Sequence, residues 1–403
     1  MPSPISLGSK RRTGRVTRYI SGALISGLLI GGCSAGGSDA SGSAASKTRL
    51  TLTPAAGTKN APPGVPVEAC VDGGTLTSVK VTDSRGKDLP GTLAHGAARW
   101  TSQAKTAPDS TYRIQAATKS RDGTRSTQTR SFTTRKADKT NKVTVTPAPG
   151  TSSTVGVAQP ISLVFDTPVT DKAAVQKQLK VITQPQTTGS WGWIKDYSGK
   201  DRVDWRPKDF WKPGTKVSLK ADLTGIASSD GTYFARDYTT TFTIGSDRRI
   251  EVDVPSHRVK VTENGNEVLN VPMSAGDDKD PGKATRGGTH VILRKNPKET
   301  LDSSTVGFGS SYNLPDVPWV VHITSSGTFF HSAPWNTANI GRRNTSHGCI
   351  GMTVPDAERF YNRVQVGDPV EVKGSTNTTA TDPGNGFGEW QLTWPQWQSK
   401  SAQ

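Results

Sequence analysis

Apolar side chains are scarce in this chain. Only 32% of its 403 residues are hydrophobic and 7% aromatic. That is too little for one large core and suits several small β-rich domains joined by polar linkers. Helical apolar periodicity never extends beyond a few turns, while 42 glycines and 26 prolines favour turns over long helices. No apolar run reaches the length of an ordinary membrane span. The formal net charge of +16 is not gathered into a Lys/Arg block, and no nucleic-acid-binding module is recognisable. An anionic cell envelope is as good an electrostatic partner as a nucleic acid, so charge alone chooses neither.

The N-terminus does choose. Lys10, Arg11, Arg12, Arg15 and Arg18 precede the apolar run YISGALISGLLI, followed by Gly31, Gly32 and Cys33. This is the layout of a secretory signal. The small residues before Cys33 resemble the lipobox of bacterial lipoproteins, in which the cysteine becomes the lipidated first residue. The alternative is a plain signal peptide cut near Ala35–Gly37. The expectation is a signal at 1–32, a flexible Gly/Ser/Ala tether at 33–47 and an exported protein anchored at Cys33 to the outer face of the cytoplasmic membrane. Cysteine is sparse, with three in all. Cys70 lies in a short apolar strand and reads as a small buried hydrophobe, although an even pair in an exported protein also invites a disulfide. Cys349 is left as a free thiol outside the cytoplasm, which requires a reason.

The middle of the chain holds a diverged duplication. TLTPAAGT at 51–58 matches TVTPAPGT at 144–151, Arg99-Trp100 matches Asp204-Trp205, and RSFTT at 130–134 matches TTFTI at 240–244. Each copy carries short alternating strands between turn signals, the pattern of an antiparallel immunoglobulin-like sandwich. The fold class is therefore mainly β: sandwiches at 48–137 and 138–246, with 135–142 as a charged hinge, then a β-rich domain at 247–373. In that domain Asn264-Gly265 marks a hairpin. Strands are expected at 289–294, 318–323, 327–331 and 369–373, and one helix over 355–364 with Thr353 as N-cap. Its apolar face would be Val354, Ala357, Phe360, Tyr361 and Val364. The segment 374–403 carries Trp390, Trp394 and Trp397, which predicts that it folds back onto the domains.

Chemistry concentrates at 331–352, HSAPWNTANIGRRNTSHGCIGM. A thiol attacks a carbonyl as thiolate, and a neighbouring imidazole takes its proton. Gly348 allows a tight turn in which its N–H and that of Cys349 face a developing oxyanion. Spacing leaves two bases in competition. His331 ends an apolar strand and can be presented into a cleft, whereas His347 stands two residues from Cys349, where direct geometry is harder. A metal site built on both histidines and the cysteine is a further reading. It matches no compact ligand pattern and no HExxH is present, so neither a metal nor a cofactor is expected. A structural cysteine flanked by surface histidines is the plainest alternative.

This segment resembles the catalytic motif of bacterial L,D-transpeptidases, a histidine followed at a distance by [S/T]-H-G-C, here His331 and Ser346-His347-Gly348-Cys349. The paired sandwiches and Trp-rich tail resemble multidomain actinobacterial members. The resemblance implies a β-rich catalytic domain in which Cys349 is the nucleophile, His331 its base, and the carbonyl of Ser332 orients the imidazole. His347 would shape the site. Tyr312 would line the cavity and help the oxyanion, and a lid would lie within 273–313. Ser326, Trp335, Thr345 and Ser346 would contact substrate. It also implies peptidoglycan stem peptides as partners, 3→3 cross-linking with release of D-Ala, and carbapenems as covalent inhibitors. One departure stands out: Gly351 replaces the polar residue that many relatives carry two positions after the cysteine.

Overall fold

Strict alternation builds the first sandwich. In Thr111–Ser120, Tyr112, Ile114, Ala116 and Thr118 point inward while their neighbours face solvent, the period-two signature of a half-buried strand. The computed structural model describes residues 48–150, 153–306 and 313–403. One sheet of this sandwich pairs Arg49–Thr53, Pro66–Asp72, Arg99–Lys105 and Gly91–Leu93; the other pairs Lys59–Ala61, Arg125–Thr134, Thr111–Ser120 and Gly74–Thr82. Leu52, Val67, Trp100, Ile114 and Phe132 fill the space between them.

The second sandwich repeats this topology. Val143–Thr146, Ile161–Phe165, Asp201–Pro207 and Gly189–Lys195 form one sheet; Ser153–Val155, Tyr238–Ile244, Lys216–Ala221 and Leu179–Gln184 form the other. Trp100 and Trp205 occupy equivalent strands and both are buried, as the duplication requires. The charged hinge departs from expectation. Lys139–Asn141 pairs in parallel with Thr232–Phe234 and Asn141 is fully buried, so the junction belongs to the second sandwich. Cys70 also departs. It is half-buried, alternates out of the core side of its strand and is not free, because Val67, Ala69 and Val71 take the inward positions.

The third domain contains two sheets. The order in the first is Asn266–Pro272, Arg258–Glu263, Arg248–Asp253, Pro369–Lys373, Gly288–Val291; in the second it is Arg294–Asp302, Asn313–His322, Phe329–Ser332, Ile350–Met352. The Asn264-Gly265 hairpin forms with both residues at positive φ, 51° and 84°, as a two-residue turn matching strand twist demands. The strand expected at 289–294 breaks after Val291: Gly288–Val291 stays in the first sheet and Arg294 opens a strand of the second. The helix spans Val354–Arg363. Thr353 Oγ1 accepts the Asp356 N–H at 3.2 Å, and Phe360 packs on Phe330 with ring centroids 4.4 Å apart. Val354, expected on the buried face, is exposed: it is the first residue of the helix, and burial begins with Asp356, Ala357 and Phe360 farther along.

The C-terminal segment folds back as its tryptophans predict. Helix Trp394–Gln398 places a fully buried Trp397 over Gly192, and its indole N–H donates to the Ser190 carbonyl at 3.0 Å. The guanidinium of Arg206 lies 4.6, 5.6 and 5.5 Å from the Trp390, Trp394 and Trp397 rings. Asn385, in the same segment, accepts the Ser326 N–H at 2.9 Å, so one strap ties the second sandwich to the third domain. Trp397→Ala should therefore destabilise the protein by about 3–5 kcal/mol through cavity creation. Urea unfolding checks this; a change within about 0.5 kcal/mol, as for an ordinary surface substitution, contradicts it. Among the described residues no helix is long and apolar enough to cross a membrane.

Candidate active site

Residues 346–349 form a turn closed on a single hydroxyl. Ser346 Oγ donates to the Cys349 carbonyl at 2.6 Å and accepts the Gly348 N–H at 3.1 Å. Gly348 sits at φ 125°, a region that disfavours any side chain. The turn is fastened to residues 274–276. Thr345 and Ser346 both donate to the Ala275 carbonyl at 3.0 Å, and Ser274 and Gly351 exchange two hydrogen bonds of 2.9 Å. Thr285 Oγ1 donates to the Gly348 carbonyl at 2.9 Å. Buried Asn344 locks the approach: its Oδ1 accepts from Ala275 N and from His257 Nδ1, and its Nδ2 donates to the Val254 carbonyl. Nothing in the local sequence singled out Asn344 or Ser274, because their partners lie far away in the chain.

His331 arrives by a parallel pairing. Strand Phe329–Ser332 runs beside Ile350–Met352 with His331 opposite Gly351. The ring is held on three sides. Nδ1 lies 2.8 Å from the Ser332 carbonyl, which can only accept, so Nδ1 carries the proton and Nε2 is the free base. Trp335 stacks on it at 5.7 Å and 15°, and Phe329 meets it edge-on at 5.9 Å. No carboxylate is needed to fix the tautomer.

Both residues open on one cavity of about 360 Å³, whose wall also includes Ser274, Phe329, Trp335 and Gly351. Thr345, Ser346 and His347 line it too, so the structure unites them with Cys349 and His331. Trp335 is 52% exposed and lies over the imidazole rather than in the core. Ser326 is not brought in. Its Oγ accepts from Asn385 Nδ2 at 2.9 Å and donates to Thr324 Oγ1 at 3.2 Å, which spends it on anchoring the C-terminal strap. Tyr312, residues 307–311 of the expected lid region, and Cys33 lie outside the described residues. Gly351 leaves the cavity open beside the base: a Cβ there would stand 3.8 Å from His331 Cε1 and 3.0 Å from Ala333 Cβ.

Burial governs the electrostatics. It pushes the Cys349 thiol up to about 12, against a weaker opposing hydrogen bond at the Phe329 backbone. It holds His331 down to about 4, the hydrogen bond to Ser332 pulling the other way. At neutral pH the resting pair is thus a thiol and a neutral imidazole, because a dry pocket penalises both charged forms. The thiol meanwhile donates to the Gly327 carbonyl at 3.4 Å. One expectation is only half met: the Gly348 N–H is occupied by Ser346 Oγ, whereas the Cys349 N–H has no acceptor among the described residues. The oxyanion then has one ready backbone donor at this turn. The arrangement can perform acyl transfer through a thioester. Among the described residues no cluster of three or more His, Cys, Asp or Glu side chains could hold a metal ion.

Comparison with known proteins points the same way. A family model described as the L,D-transpeptidase catalytic domain matches residues 247–372, and one described as a bacterial Ig domain matches residues 58–227. The chain is 32% identical over 354 residues to L,D-transpeptidase 5 of Mycobacterium tuberculosis, covering 88% of this chain and 77% of that protein. It is 31% identical over 360 residues to L,D-transpeptidase 2 of the same species, covering 88% and 85%. Among solved structures, that of the L,D-transpeptidase LdtMt1 in complex with imipenem superposes with a TM-score of 0.47 at 33% identity, over 57% of this chain and 98% of that one.

Proposed function

Because the chain belongs to the L,D-transpeptidase family, we propose that it cross-links peptidoglycan stem peptides by acyl transfer through Cys349. The observation that carries this reading is the convergence of a buried thiol and a backbone-locked imidazole on one cavity. His331 Nε2 takes the thiol proton as sulfur attacks the carbonyl of the third, L-configured centre of a tetrapeptide stem. The same nitrogen returns that proton to the departing D-Ala amine, leaving a thioester. The amine on the D-centre of a neighbouring diamino acid then attacks the thioester, forming a 3→3 link and restoring the thiol. A negative oxygen forms in both half-reactions next to the Cys349 N–H, where a preorganised donor in a dry site is most effective. Carbapenems would acylate the same sulfur and stall there.

The N-terminal segment supports a further part of the reading: an exported lipoprotein held at Cys33 on the outer face of the cytoplasmic membrane. The tether at 34–47 then lets the folded domains reach the wall. The enzymatic reading is tested by incubating the protein with disaccharide-tetrapeptides and separating the products by mass spectrometry. Release of D-Ala with 3→3 dimers is expected. Tripeptide without dimers would make the enzyme an L,D-carboxypeptidase, and no D-Ala release would reject acyl transfer altogether.

A further inference from the structure

Three peptide planes flank Gly348 and Cys349, and the turn itself holds two of them. Ser346 Oγ accepts the Gly348 N–H at 3.1 Å and donates to the Cys349 carbonyl at 2.6 Å. Those bonds fix the plane before Gly348 and the plane after Cys349. The plane between them carries the Cys349 N–H, the backbone donor left for an oxyanion. Gly348, at φ 125°, bends the turn, but a residue without Cβ offers little steric resistance to rotation of the plane that follows it. That plane is held from outside. Thr285 Oγ1 donates to the Gly348 carbonyl at 2.9 Å, across 63 residues of chain. The same oxygen accepts the Gly276 N–H at 2.9 Å, which leaves its own hydrogen for the carbonyl.

The C=O and N–H of a trans peptide point in opposite directions across a rigid plane. A donor that holds the Gly348 carbonyl therefore aims the Cys349 N–H. Thr285 is buried and forms no part of the cavity wall, whereas Cys349 lines the cavity. The carbonyl is thus turned into the protein, and the N–H faces the side where the substrate carbonyl must sit. The groups also form a chain, Gly276 N–H to Thr285 hydroxyl to Gly348 carbonyl, in which each hydrogen bond polarises the next. Electron density drawn toward the carbonyl oxygen makes the Cys349 N–H a stronger donor. The support behind the threonine is close-packed. A Cβ on Gly276 would stand 2.0 Å from the Lys283 carbonyl oxygen and 2.9 Å from Gly348 Cα, so these backbones touch directly. Ser375 Oγ donates to the Thr285 carbonyl, and Asn377 Nδ2 donates to that of Ala284 at 3.4 Å. The segment after strand Pro369–Lys373 thereby fastens the loop that carries Thr285. None of these bonds reaches the thiol, whose own hydrogen bond goes to the Gly327 carbonyl.

We propose that Thr285 is a positioning residue that aims the Cys349 N–H at the oxyanion, and so acts only once the substrate carbonyl becomes tetrahedral. The inference rests on the transpeptidase reading above. Its test compares two reactions of the same sulfur in the full-length protein. Acylation by a carbapenem passes through an oxyanion; alkylation by iodoacetamide displaces iodide and forms none. Thr285→Val removes the hydroxyl and nearly keeps the shape. It should slow acylation about 10–100-fold, somewhat less than outright loss of an oxyanion donor costs. For D-Ala release, kcat and kcat/KM should fall by the same factor with KM unchanged, as when an interaction made only in the transition state is lost. Alkylation should keep the parent's rate. Thr285→Ser retains the donor and should restore acylation. Valine also leaves the Gly276 N–H without its acceptor, so circular dichroism first establishes that the variant folds. Thr285→Ala, with the same expectation, replaces it if it does not. An equal loss of acylation and alkylation overturns the proposal, because the threonine would then merely hold the thiol in place. So does acylation at the parent's rate, or a serine variant as slow as the valine one. If the parent itself takes up no carbapenem, it is the transpeptidase reading that fails, and this inference falls with it.

Discussion

Cys349→Ala should abolish acyl transfer, lowering D-Ala release by at least about three orders of magnitude, as loss of a covalent nucleophile does. Intact mass spectrometry after exposure to a carbapenem should show the parent protein with one added acyl group and the variant with none. The fold should survive. Cys349 sits against Leu301, Val317, Val320 and Phe329, and removing one sulfur from such a cluster leaves a gap smaller than a methylene pair, costing about 1 kcal/mol. A variant that still takes up the adduct would move the nucleophile elsewhere. The Gly327 carbonyl also matters here. Because it accepts the thiol proton at rest, the sulfur must turn away from it when His331 takes that proton, so the uncharged resting pair is a protected state rather than an active one.

His331→Gln should lower the acylation rate by about 10²–10⁴-fold, the usual contribution of a positioned general base. Glutamine can still donate to the Ser332 carbonyl but offers no basic nitrogen to the thiol. The pH profile separates this from simple misplacement. In the parent, the base works only when unprotonated, so the rate should hold steady across neutral and mildly acidic pH and fall as pH drops through about 4, where His331 charges. In the variant that limb disappears. The residual rate should instead climb with pH on the alkaline side, because the only thiolate is then the one set by a thiol near 12. Stability should show the same ionisation. His331 is held below its unfolded value, so the native state binds fewer protons between about 4 and 6.5. Its contribution is therefore complete above that window and lost as pH falls through it. A variant with unchanged acylation and an unchanged acid limb would transfer the base role to His347, the other imidazole in the cavity.

Much of this site was legible because it is local. Ser346-His347-Gly348-Cys349 encodes its own turn, with a hydroxyl to close it and a glycine to bend it. The hairpin at Asn264-Gly265 and the alternating strands of the sandwiches are local in the same sense. What stayed hidden depends on partners distant in the chain. Strand Arg294–Asp302 was missed because only Leu301 along it is buried, so it has no alternation to read. Ser326, expected as a substrate contact, is hydrogen-bonded to Asn385 of the C-terminal strap, a partner 59 residues away that its local sequence does not reveal. The Gly348 N–H is a local exception: expected to face an oxyanion, it is occupied by Ser346 Oγ two residues before it.

By itself the sequence determined the chemistry: a thiol beside histidines, on a β-rich scaffold with a duplicated sandwich. These follow from residue type, spacing and period, which act over a few residues. Only the tertiary structure decided which histidine has its tautomer fixed, through the pairing of His331 with Gly351 and the carbonyl of Ser332. It alone decided that the pair rests uncharged, and that the Thr285 hydroxyl, 63 residues before Gly348, holds the peptide bearing the Cys349 N–H. Burial and non-local pairing set those properties. Both are sums over groups brought together from across the chain, and no window of sequence contains them.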